Sequence, residues 1–63
     1  MTGENRVKVW RQKMGFTQRQ LAEYAGVSQA MVAEVEKGTK TGSVETLRKL
    51  AHAMKISVAA LTD

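Results

Sequence analysis

Five residues between positions 29 and 37 carry side chains suited to reading a polar surface. At about 100° per residue, Ala30, Ala33, Glu34 and Lys37 fall on one side of a helix, and Gln29 borders that side at its start. Val32 and Val35 fall on the opposite side. The chemistry open to this face is hydrogen bonding to base edges. Gln can grip adenine at N6 and N7, Glu can accept from cytosine N4, and an alanine methyl can touch the thymine methyl. Two alanines among long polar side chains would also let the helix backbone approach another surface closely. The same residues suit an ordinary solvated helix face, so this face alone leaves both readings open.

Other chemistry finds little in the residues. There is no cysteine and only one histidine, His52, so neither a disulfide, a thiolate metal site nor a multi-histidine site can form. Glu23 and Glu45 sit on polar faces, and their spacing brings no second carboxylate to either. No nucleophile and base are placed together, and no glycine loop is built to cradle a phosphate. Catalysis, a metal and a cofactor are therefore not expected. Trp10 and Tyr24 are candidates for stacking on bases. Trp10 lies on an apolar stripe, which favours core or partial burial over stacking.

The elements that must position the 29–37 face are read from periodicity and caps. Gly15, Gly26, Gly38 and Gly42 separate apolar helical patterns. Thr17 with Gln20 makes a capping box, with Phe16 and Leu21 as a hydrophobic staple. Val27, Ser28 and Val32 repeat the arrangement, as do Ile56, Ser57 and Leu61, and Ser43 caps a helix ahead of Val44 and Leu47. These signals predict an all-α fold of five short helices, near 4–14, 18–25, 29–37, 44–54 and 58–62. Val7, Trp10 and Met14 form a stripe on the first helix. Leu21, Ala22 and Ala25 supply the second, Val32 and Val35 the third, and Leu47, Leu50, Ala51 and Met54 the fourth. Met31 borders the core face as half-buried filler. The second and third helices are too short to be stable alone, so packing must hold them.

Length and charge bound the rest. The 63 residues suffice for one domain, taken as 1–63, near the lower limit for an unaided core. The formal net charge is +4, which favours a polyanionic partner. Arg19, Lys37 and Lys40 lie near the segment from 28 to 37 and are candidates for phosphate contacts. No stretch approaches the roughly 20 apolar residues of a membrane span. Residues 1–6 are polar and lead into no apolar run, unlike a signal peptide. The absence of cysteine suits a reducing cytoplasm.

Residues 18–37 read QRQLAEYAGVSQAMVAEVEK, a short helix, a glycine turn and a second helix. That order fits a helix-turn-helix, with Ala22 small where the two helices cross. The chain resembles the lambda-repressor-like (Xre/Cro-type) helix-turn-helix family. The resemblance rests on R-x-x-x-G-F-T-Q at 11–18, L-A-x-x-A-G-V-S at 21–28, E-x-G at 36–38, and L-x-K-L-A at 47–51 followed by I-S-V at 56–58. It covers nearly the whole chain, and the combination is specific.

The resemblance implies a transcriptional regulator, in repressor mode, that binds double-stranded DNA with its third helix in the major groove. It implies a phosphate contact for Gln18 and base or phosphate contacts for Ser28, Gln29, Ala30 and Glu34, with Ala33 on the same face. Lys37 and Lys40 match the backbone-facing region after the recognition helix. Arg11 and Glu36 match a pair that joins the first helix to the third. At Ala30 some relatives carry a longer polar residue, so this chain has fewer direct base contacts to offer. Residues 56–61, with Ile56, Val58 and Leu61, match a region that forms a weak two-fold contact, which implies a homodimer. The same family includes antitoxins and bridging proteins, so an interaction module is the competing expectation. The chain shows no evident extra segment to wrap a toxin or sense a ligand, which favours the DNA-binding reading.

Overall fold

The computed structural model describes residues 6–38 and 44–62. Among these residues are five helices: α1 Arg6–Lys13, α2 Gln18–Ala25, α3 Gln29–Lys37, α4 Val44–Ala53 and α5 Ala59–Thr62. The expected cap at Ser43 and the contact at Lys40 lie outside the described residues, as do Gly42 and the first two residues of the expected first helix.

Local chemistry accounts for the starts of α2 and α3. The Thr17 hydroxyl accepts from the Gln20 backbone N–H at 3.0 Å, and the Gln20 side-chain carbonyl accepts from the Thr17 N–H at 2.9 Å. This reciprocal box satisfies two backbone donors that the helix itself leaves unpaired. Ser28 opens α3 by accepting from the Met31 N–H at 3.0 Å. Between them, Gly26 takes φ 73 and hands its N–H to the Ala22 carbonyl. A left-handed residue in that turn favours glycine, which has no Cβ to clash.

The five helices close on one core. Val7, Leu21, Ala22, Val32, Val35, Leu50, Ala51, Met54 and Leu61 are buried, with Trp10, Phe16, Ala25, Val27, Met31, Leu47, Ile56 and Val58 partly buried against them. α2 packs on α3 and α4, and α1 packs on α3 and α5. One expectation needs correction. Met14 does not continue the α1 stripe but is 44% exposed, because α1 ends at Lys13 and the chain turns at Gly15 with φ 78. Met54 keeps its core position although α4 ends at Ala53; Lys55 then adopts φ 58 to turn the chain.

Candidate nucleic-acid interface

Three helices bring polar residues to one place. On α1, Lys8 and Arg11 are three apart and share a side; on α3, Ala33 neighbours Glu36 three residues on and Lys37 four residues on. Gln18 opens α2 beside them. Together these six residues line a groove of about 330 Å³.

Glu36 is the hub of the groove floor. Its carboxylate accepts from Arg11 Nε at 2.5 Å, from Arg11 Nη2 at 3.2 Å and from Gln18 Nε2 at 3.1 Å. Arg11 also donates through Nη1 to the Phe16 carbonyl at 2.8 Å. The guanidinium thereby ties α1 and the turn after it to α3, and Gln18 adds α2. The side chains of Arg11 and Glu36 are 11% and 4% exposed. A two-point, charge-assisted contact of this kind holds geometry as well as energy. Among the described residues no buried side-chain polar atom lacks a hydrogen-bond partner.

This latch fixes how α3 presents its other side. Val32 and Val35 are buried, whereas Ser28, Gln29, Ala30 and Lys37 are exposed and Ala33 and Glu34 are half-buried. Gln29, Ala30, Ala33 and Lys37 therefore lie on accessible surface along one helix. Ser28 spends its acceptor on the cap, which leaves its O–H to donate outward. Arg19 does not line the groove; it pairs with Glu23 at 3.4 Å on the open surface of α2. Tyr24 is 71% exposed and meets Phe16 edge-on, with ring centroids 5.1 Å apart. Trp10 is partly buried, with the Lys13 ammonium 5.0 Å from its ring centre.

Lys8 is a groove residue that neither the helical period nor the family motifs mark. One signal in the sequence could have found it: it stands one turn before Arg11, so any surface that Arg11 reaches is also near Lys8. The described residues contain no group of three or more His, Cys, Asp or Glu side chains placed to hold a metal ion. No helix among them is long and apolar enough to cross a membrane.

Known proteins are similar to this chain in sequence and in fold. The immunity repressor protein of Bacillus phage phi105 is 38% identical over 61 residues, which cover 97% of this chain and 42% of the repressor. An uncharacterized HTH-type transcriptional regulator of Haemophilus influenzae is 48% identical over 40 residues, 64% of this chain and 41% of that protein. The chain thus spans less than half the length of these two relatives. The fold is similar to the crystal structure of SinR, a master regulator for biofilm formation, in complex with DNA. The TM-score is 0.86 at 32% identity, over 92% of this chain and 94% of that one. The profile of one family, described as Helix-turn-helix (HTH_3), matches residues 7–61. With that match running from Val7 to Leu61, both of them buried in the core, this chain belongs to the helix-turn-helix family.

Proposed function

We propose that this chain binds double-stranded DNA with α3 in the major groove and acts as a transcriptional regulator that represses. The carrying observation is the outward face of α3. Gln29, Ala30 and Lys37 are exposed on it, and the Arg11–Glu36 pair anchors its far end to α1. The likeness to SinR, solved with DNA, supports the same reading.

In this reading the start of α3 enters the groove, as recognition helices do. Gln29 meets adenine, Ala30 and Ala33 contact thymine methyls, and Glu34 accepts from cytosine. The Ser28 O–H donates at the same end. Gln18, Lys37 and Lys40 meet backbone phosphates, with Arg19 at the edge of the contact. The Arg19–Glu23 pair is exposed on both sides, so giving it up to reach a phosphate costs under about 1 kcal/mol. The activity is binding without catalysis, and it takes place in the cytoplasm.

Two copies occupy adjacent half-sites about 34 Å apart. Their contact is through residues 56–61. Leu61 is buried there and Ile56 and Val58 are packed against the core, which leaves Ala59 exposed and Ala60 half-buried. So small a patch favours pairing on DNA over pairing in free solution.

Selection from a random DNA pool, followed by titrations at several salt concentrations, tests the reading. The expected result is a two-fold-symmetric site. If the dimer neutralises about 6–8 phosphates, log K should fall against log salt with a slope of about −5 to −7. A selection that enriches no sequence, with binding indifferent to salt, would sink it.

A further inference from the structure

We propose that the groove between Lys8 and Lys37 seats one phosphodiester of the DNA backbone, with Lys8 supplying the α1 side of the grip. The inference rests on the DNA-binding reading above and extends it to a residue that neither the 29–37 face nor the family motifs single out.

Charge is the first reason. Of the residues lining the groove, Arg11 and Glu36 neutralise one another at its floor, with side chains 11% and 4% exposed. Lys8 and Lys37 are exposed at its rim, and neither has an acidic partner among the described residues. The rim is thus net positive over a neutral, hydrogen-bonded floor. Lysine ammoniums are compact, strongly hydrated charges on flexible stems, and they can close on an anion from two sides.

Shape is the second reason. Ala33 contributes only a methyl group to the lining, which leaves the groove of about 330 Å³ open for a tetrahedral phosphate. A longer side chain at this position would occupy it. Gln18 has one amide hydrogen engaged by Glu36, and its second hydrogen remains to donate to a phosphate oxygen.

Position is the third reason. Ala33 and Lys37 belong both to the groove and to the outward side of α3. A duplex that takes α3 into its major groove passes a backbone strand along each side of that helix. One strand therefore runs past the groove mouth. A phosphate held between Lys8 on α1 and Lys37 on α3 would fix the tilt of the recognition helix, and would do so alike on every sequence.

The test uses the whole chain and its selected site, with single phosphates replaced in turn by neutral methylphosphonates. The wild type should lose affinity several-fold at one position beside each half-site. Lys8→Gln and Lys37→Gln should each lose much of the sensitivity at that same position. Lys8→Gln should also lower the salt slope by about 0.9 for each phosphate it no longer neutralises. Lys55→Gln, which removes the same charge after α4, should leave slope and sensitivity unchanged. Circular dichroism should show Lys8→Gln folded, since the side chain is exposed. If the wild type has no affinity for DNA, the reading itself falls. If it binds, and Lys8→Gln is as sensitive as wild type at every phosphate, the groove alone is refuted. Free inorganic phosphate titrated without DNA separates the two sources of the anion. Saturating amide shifts at Lys8, Gln18 and Lys37 below millimolar phosphate would assign the groove to the free ion and overturn the backbone assignment.

Discussion

Arg11 and Glu36 stand 25 residues apart in the chain and form a two-point ion pair almost out of solvent. The pair spans the first and third helices. Each charge depends on the other, because a buried ion without its partner keeps its desolvation penalty and loses its compensation.

Removing one partner should therefore be severe. Glu36→Ala or Arg11→Ala should cost about 3–5 kcal/mol. A chain of this length has a total stability of only about 3–9 kcal/mol at typical values per residue, so either variant should lose a large share of its stability. The double variant Arg11→Met with Glu36→Leu should recover much of the loss, since apolar residues of similar size remove the unpaired charge. Urea unfolding of the three variants measures this. Single losses under about 1 kcal/mol would show that solvent screens the pair.

Within the proposed function, Gln29 and Lys37 should fail in different ways. Gln29→Ala should weaken binding to the selected site by about 1–3 kcal/mol and relax preference at one base pair per half-site. Lys37→Ala should weaken binding to all DNA alike and reduce the salt slope by about one unit. Both side chains are exposed, so neither change should lower the melting temperature appreciably. Titrations on selected and scrambled DNA decide between the roles. A Gln29→Ala variant with unchanged base preference would remove it from the reading face.

The caps should matter in proportion to what they satisfy. Thr17→Ala breaks a reciprocal box, and Ser28→Ala frees the Met31 N–H. Each should destabilise by about 1 kcal/mol. Thr17→Ser should restore most of the loss at the first site. Thermal melts of the three proteins suffice, and equal melting temperatures for wild type and both alanine variants would contradict the geometry.

Lys55 offers a stabilising change. It is the one non-glycine among the described residues with positive φ, at 58. A side chain in that region costs about 1–2 kcal/mol, part of which glycine gives back as unfolded-chain entropy. Lys55→Gly should raise stability by about 0.5–1 kcal/mol. A fall in melting temperature would mean that the lysine side chain makes a compensating contact.

Much of the architecture is legible because it is local. Thr17 and Gln20 lie three residues apart, and that spacing alone brings each side chain to the other's backbone N–H. Leu21, Val32, Val35 and Leu50 declare their buried faces by helical period, and each is at most 2% exposed. Met14 shows the limit of such a reading. Its spacing from Val7 continues the stripe, but the helix stops one residue earlier, and a period says nothing beyond the end of its helix.

The sequence by itself determined which residues of α2, α3 and α4 turn inward, where α2 and α3 begin and which side of α3 lies away from the core, because those follow from bonds and periods within a few residues. Tertiary structure alone decided which surfaces meet. Gln18 is equally able to face solvent or Glu36, and only the approach of α2 to α3 gives its amide to that carboxylate at 3.1 Å. Lys8 is one more surface lysine until α1 lies against α3 and sets it across a groove from Lys37. Such juxtapositions depend on crossing geometry between helices far apart in the chain, and that geometry is set by how all the core side chains pack at once.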